Sequence, residues 1–204
     1  MKTKYWPFIL LIFLGSCNFN KTENALPYLG EQIVEDGKPK YHTIREFEYL
    51  DQDSNVINNK ILSDCIYVAD FFFTSCPSIC PKVNRQMLKI YKEFENDDRV
   101  KLISFSLDPK RDNVERLKKY ADNLNVSAPR WHFLTGDKDF TLDLAADFFV
   151  TALEDEDAPG GFDHSGKIIL VDKGGHVRSF CEGTDPESIP GFVKDIKKLL
   201  ASEF

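Results

Sequence analysis

The chain has 204 residues, of which 42% are hydrophobic, 13% aromatic and 29% charged, with a formal net charge of −7. Those proportions suit one globular domain with a sizeable core and argue against global disorder. The acidic balance and the lack of a GxxxxGK[ST] or GxGxxG phosphate loop argue against nucleic-acid or nucleotide binding.

The first residues read as an export signal. Lys2 and Lys4 form a positive start, and "YWPFILLIFL" is an apolar run of ten residues. A membrane-spanning helix needs about 20, so the run is too short to span. The closing "LGSC" resembles the lipobox of bacterial lipoproteins, in which the signal is cut before the cysteine and the sulfur is lipidated. On that resemblance residues 1–16 are a lipoprotein signal peptide and Cys17 is the lipidation site. The mature protein is then extracytoplasmic and membrane-anchored, on the periplasmic side. Loss of residues 1–16 removes two lysines and no acid, moving the net charge from −7 to −9. Residues 17–40 are polar, carry Pro27, Gly30, Gly37 and Pro39, and show no clean period, as expected of a flexible tether. Residues 41–204 form the domain.

In chain order, "HTIREFEYLDQDSNVI" alternates like an edge hairpin, and "IYVADFFF" is a buried strand. From Ser78 or Pro81 to about Glu95, apolar residues fall at helical spacing. "VKLISFSLD" is a strand, "NVERLKKYADNL" a helix, "WHFLTG" a short strand and "DFTLDLAADFFV" a helix. "EDEDAPGGFD" reads as a solvated loop. "KIILVD", a "KGG" turn and "VRSFCEG" make a hairpin, and "DPESIPGFVKDIKKLL" ends the chain as a helix. This order predicts an α/β protein with a thioredoxin-like fold: a central mixed β-sheet flanked by helices, with an extra N-terminal β-hairpin.

The chemistry centres on "DFFFTSCPSICPKV", where Cys76 and Cys80 lie four residues apart behind a strand, at a helix start. Free backbone N–H groups and the positive end of the helix dipole favour a thiolate there. Ser78 is a cap candidate, and a proline in the first helical turn costs nothing. Thiol–disulfide exchangers usually space their cysteines as CxxC. The wider CPSIC spacing also permits a metal site, because thiolates are soft ligands that suit Cu(I) or zinc. Two sulfurs need a third ligand. His42 lies near the tether, His132 reads as a core residue and His176 as an exposed turn residue. His164 precedes a strand that faces the cysteine pair in a thioredoxin-like fold, where an exchanger usually has a cis-proline. Cys65 and Cys181 read as small buried hydrophobes.

Five segments in order, "FFFTSCPSICP", "SFSLDPKRD", "WHFLTG", "FDHSGKIILVD" and "EGTDPESI", resemble the Sco/SenC family of membrane-tethered copper proteins over roughly Ile44 to Leu200. The resemblance implies that Cys76, Cys80 and His164 are copper ligands for Cu(I) or Cu(II), with Asp163 and Asp108 in supporting positions. It implies a metallochaperone rather than an enzyme. Its partner would be cytochrome c oxidase subunit II, whose binuclear CuA centre it loads, whose cysteines it reduces, or both. Ser78 departs from the acid common in the family, and Cys181 stands where an aromatic is commoner. The alternative on the same residues is a thiol–disulfide oxidoreductase using Cys76 and Cys80 as a redox-active pair, able to close as a disulfide. A peroxidase of peroxiredoxin type fits less well, because Thr74 lies two rather than three residues before Cys76.

Overall fold

The computed structural model describes residues 25–204. Residues 1–24, including the signal, Cys17 and the first part of the expected tether, lie outside the described residues.

The centre is a five-stranded sheet built from β5 (Ile66–Phe72), β6 (Val100–Ser106), β7 (Trp131–Leu134), β10 (Lys167–Val171) and β11 (Val177–Glu182), in the order β11-β10-β5-β6-β7. β5, β6 and β7 run parallel, while β10 is antiparallel to both β5 and β11. All seven residues of β5 are buried, as a central strand covered on both faces requires. Helices α2 (Cys80–Glu93), α3 (Val114–Leu124), α4 (Lys138–Asp147) and α5 (Ile189–Glu203) flank it. The architecture is the expected thioredoxin-like one.

Local chemistry sets the helix ends. The Asn113 side chain accepts from the Arg116 N–H at 2.9 Å to start α3, and Asn125 closes that helix in the left-handed conformation at φ 55°. Asp137 caps α4 at the Phe140 N–H, 2.7 Å away. The core is aromatic. Trp131 stacks on Phe133 at 4.9 Å and Phe71 on Phe105 at 5.1 Å.

The expected edge hairpin is β3 (Glu48–Leu50) with β4 (Val56–Asn58), followed by one turn of helix, α1 (Asn59–Leu62). It seals the β7 edge. Gln52 donates to the Trp131 carbonyl at 2.7 Å and accepts from the Phe133 N–H at 2.8 Å. Asp51 bonds the His132 ring at 2.8 Å. The reading of His132 as a core residue holds. His176, expected to be exposed, is half-buried, with Nδ1 at 2.8 Å from the His42 carbonyl.

The largest departure is at the expected tether. Its described part is not free. Leu26 is buried, the Leu29 N–H donates to the Val177 carbonyl at 2.9 Å, and β1 (Gln32–Glu35) pairs with β2 (Lys38–Tyr41) around an Asp36-Gly37 turn. Both turn residues have positive φ, 51° and 73°, the requirement of a tight hairpin turn. Arg178 clamps the strap. The Arg178 guanidinium donates to the Pro27 carbonyl at 3.0 Å and to the Leu26 carbonyl, lies 4.0 Å from the Tyr28 ring centre and pairs with Asp172 at 2.8 Å. The sequence shows no periodicity here because the strap is held by Arg178, buried Leu26 and the Leu29 backbone bond rather than by an apolar stripe.

Arg178 and Asp172 are both buried. Removing one partner of a buried pair strands the other charge, at about 3 kcal/mol or more. Arg178→Ala therefore lowers the unfolding free energy by about that amount and exposes residues 25–31 to limited proteolysis. Denaturant titration and cleavage mapping check this, and an unchanged midpoint with an intact strap contradicts it.

Candidate metal centre

The site forms where β5 ends. The Cys76 N–H donates to the Phe73 carbonyl at 3.2 Å, which turns the chain back sharply. Asp112 holds the turn. Its carboxylate accepts from the Thr74 N–H at 3.0 Å, from the Thr74 hydroxyl, and from the Ser106 hydroxyl at 2.7 Å. Asp112 was not singled out by sequence reasoning, although it closes the quoted "SLDPKRD" segment. Helix α2 then starts at Cys80, with Pro81 second. Ser78 is not its cap. Ile79 occupies that position with helical backbone angles and no side-chain cap bond, and the Ser78 hydroxyl lies 3.6 Å from the Cys76 sulfur instead.

Three expected residues converge. The Cys76 and Cys80 sulfurs and one ring nitrogen of His164 all lie within 4.8 Å of one another. Cys80 Sγ is 3.6 Å from His164 Nε2. His164 Nδ1 is 3.2 Å from the Ser165 carbonyl, which can only accept. The Nδ1 proton is thereby fixed, and Nε2 presents its lone pair to the sulfurs. The three residues are 8%, 3% and 7% exposed.

His164 ends a strand, β9 (Phe162–His164), that pairs with β8 (Ala152–Glu154), so part of the expected loop is a two-stranded ribbon. Alternation along β9 turns Phe162 and His164 inward and Asp163 out to solvent. Asp163 is therefore not brought to the imidazole. The Phe73 ring packs on Phe162 at 5.3 Å and edge-on to His164 at 5.8 Å. Gly160, at φ 89°, makes room for this: a Cβ there would lie 2.6 Å from the Phe73 ring. Asp108 is buried just past β6 and pairs with Arg111 at 2.8 Å. Arg111 also reaches the Gly160 carbonyl at 3.5 Å, so Asp108 is linked through Arg111 to the loop that leads into β9 rather than to the ligand atoms.

The thiols are unequal. Cys76 is held well below the usual thiol range, first by a hydrogen bond from Cys80 and then, against burial, by the Cys80 and Ser78 backbone N–H groups. Cys80 is pushed up by that same bond and by burial. Cys65 rises to about 11 and Cys181 to about 12, both through burial, as inert core thiols do.

Sequence reasoning also passed over Asp70, a carboxyl in the fully buried strand β5. Its Oδ1 accepts from Ser104, whose Oγ accepts from the Trp131 indole at 2.9 Å, while its Oδ2 has no partner. Burial raises it from 3.8 to about 6, partly offset by the Ser104 bond and nearby His164. A charged residue inside "IYVADFFF" was the available signal.

Two expectations follow from these charges. At pH 6, iodoacetamide labels Cys76 at least tenfold faster than Cys80 in the reduced protein, as read by peptide mass mapping; equal rates contradict the asymmetry. The Asp70 carboxyl stays neutral in the fold up to about pH 6 but ionises above 3.8 when unfolded. Stability is therefore full below pH 3.8, falls as pH rises towards 6, and is lower by roughly 3 kcal/mol beyond. Asp70→Asn removes this fall, measurable by thermal unfolding of the metal-free protein between pH 4 and 7; an unchanged pH slope rules it out.

The SCO1/SenC family model matches residues 35–201. Among curated proteins, the SCO1 protein homolog of Bacillus subtilis is 28% identical over 192 residues, 93% of this chain and 92% of that protein. A SCO1/SenC family lipoprotein from Bacillus anthracis has a similar structure, with a TM-score of 0.71 and 26% identity over 84% of this chain and 99% of its own. BsSco, described as a member of the Sco family of cytochrome c oxidase assembly proteins with a disulfide switch, superposes with a TM-score of 0.69 and 28% identity over 78% and 94%. Arabidopsis thaliana ScoI with copper bound gives 0.62 and 26% over 76% and 98%. Fold, motif order and family match agree: the chain belongs to the SCO1/SenC family.

Proposed function

We propose that this protein is an extracytoplasmic metallochaperone, tethered to the membrane by a lipid on Cys17. It takes up copper with Cys76, Cys80 and His164 and passes it to the CuA site of cytochrome c oxidase subunit II. The observation that carries the reading is the convergence of two sulfurs and one imidazole nitrogen within 4.8 Å, although Cys80 and His164 lie 84 positions apart in the chain. Two thiolates and an imidazole form a soft donor set that suits copper. The copper-bound state of the Arabidopsis relative and the assembly role given to BsSco support it. The lipobox-like "LGSC" and the lipoprotein relative of Bacillus anthracis support the anchor.

The residues divide the work. Cys76, already inclined to the thiolate, is the first ligand to engage. Cys80 gives up its proton on binding, so uptake releases protons and strengthens as pH rises. His164 offers Nε2 without rearrangement because Nδ1 is held by the Ser165 carbonyl. As cargo, copper leaves by ligand exchange when an acceptor thiolate displaces one of the three. The bonds of the Thr74 turn to Asp112 keep the sulfurs in register during that exchange.

The thiol asymmetry supports a second reading, reduction of the acceptor's disulfide. The Cys76 thiolate attacks one acceptor sulfur and Cys80 then resolves the mixed disulfide. This leaves Cys76–Cys80 oxidised by two electrons and both acceptor thiols reduced. A copper titration with thiolate charge-transfer spectroscopy separates the two. Cys76→Ala and Cys80→Ala each abolish stoichiometric binding. His164→Ala weakens binding at least tenfold and leaves disulfide reduction of an insulin-type substrate intact. Wild-type protein that reduces disulfides well and takes up no copper rejects the metallochaperone reading.

A further inference from the structure

Of the three converging donors, only Cys76 lies outside regular structure. Cys80 opens α2 and His164 ends β9, whereas Cys76 sits in the turn of residues 73–79 that joins β5 to α2. Its sulfur is placed by whatever fixes that turn. The turn's own backbone supplies little. The Cys76 N–H reaches the Phe73 carbonyl at 3.2 Å, while Ser75, Pro77 and Ser78 are exposed. The stronger tie is two residues upstream, at Thr74.

The Thr74 side chain bridges a buried carboxylate and a surface guanidinium. Its hydroxyl bonds Asp112 Oδ1, while the Thr74 N–H donates to Oδ2 of the same carboxylate at 3.0 Å. On its other side the hydroxyl oxygen lies 2.6 Å from Arg116 Nε. A carboxylate accepts and a guanidinium only donates. The hydroxyl proton therefore goes to Asp112 and a lone pair goes to Arg116, two demands that one hydroxyl meets at once. Both outer groups are themselves held. Asp112 Oδ2 also accepts from the Ser106 hydroxyl at 2.7 Å, and the Asp112 N–H donates to the Asp108 carbonyl at 2.8 Å. The Arg116 N–H is fixed by the Asn113 cap of α3 at 2.9 Å. Hydrogen bonds to charged groups are the stronger kind. The Asp112 side chain is fully buried but that of Arg116 is 47% exposed, so the Arg116 half of the grip can be cut without opening the core.

We infer that Thr74 is a positioning residue for the Cys76 sulfur, gripped from the interior by Asp112 and from the surface by Arg116, and that this grip slows the release of copper. The inference rests on the copper-handling reading and adds to it residues outside the ligand set. With the grip intact, Cys76 meets the metal already placed opposite Cys80 and His164. With the hydroxyl gone, the turn samples other positions and the Cys76 arm of the site lets go more often.

Two measurements test this: dissociation of Cu(I) from the full-length protein into excess bathocuproine disulfonate, and amide hydrogen exchange of the reduced, metal-free protein. Thr74→Val keeps the side-chain shape and removes the hydroxyl, Thr74→Ser restores the hydroxyl, and Arg116→Met keeps the aliphatic stem and removes the donor. Dissociation quickens about tenfold in Thr74→Val and about threefold in Arg116→Met, and stays within about twofold of wild type in Thr74→Ser. Exchange at the Cys76 amide quickens in the same order. A lowered unfolding midpoint in Thr74→Val with exchange and dissociation unchanged shows a merely structural role and overturns the inference. Faster exchange with unchanged dissociation overturns the effect on release. Thr74→Ser as fast as Thr74→Val overturns the hydroxyl's part, and Arg116→Met equal to wild type overturns the surface half of the grip. If Thr74→Val does not fold, Thr74→Ser and Arg116→Met decide by the same two measurements. Wild-type protein that takes up no copper rejects the copper-handling reading, and amide exchange then still decides whether the grip positions Cys76.

Discussion

The packing of one ring, Phe73, couples the two halves of the metal centre. The sulfurs come from the turn between β5 and α2, and the imidazole comes from a ribbon some 84 residues later along the chain. No backbone bond between Cys80 and His164 ties them. The Phe73 ring, buried one residue past the end of β5, lies against Phe162 and His164 together. Gly160 must lack a side chain for the ring to fit. The strand that forms the core therefore also carries the contact that aligns the ligands, so core packing and site geometry cannot be varied independently.

The central sheet was legible because burial writes itself into composition. Strands covered on both faces, such as "IYVADFFF" and "KIILV", can hold little but apolar residues, and the intervening helices show the 3.6 period of one covered face. The three converging donors were legible for a different reason: few residue types supply soft or imidazole donors, so the candidates were few. Supporting groups were harder. Asp112 and Asp70 are common residues whose roles come from neighbours distant in sequence, Thr74 and Ser104. Ser78 was misassigned by one position, because a helix start depends on backbone angles at a single residue. The strap was missed although Asp36-Gly37 is a strong hairpin pair, because attention to Gly and Pro content favoured a tether.

Charge placement makes the two sulfurs unequal. A depressed Cys76 beside an elevated Cys80 gives a thiolate and a proton reserve within one site. The first favours both metal capture and attack on a disulfide. The second delays the closing of the pair as a disulfide until a partner draws Cys80 into reaction. The unpartnered oxygen of Asp70 lies in the strand beneath, where a carboxyl that stays neutral at low pH avoids adding a second negative charge to the thiolate's surroundings.

The β1–β2 ribbon leaves backbone exposed to other chains. A two-stranded ribbon has two unpaired edges, each a template for pairing with another chain. Such edges invite lateral aggregation. Pro39 removes a backbone donor from β2, Lys38 places a positive charge beside it, and β1 is only four residues long. These features blunt strand addition. The same segment that exposes Ile33 and Val34 thus carries its own guard against strand addition by another chain.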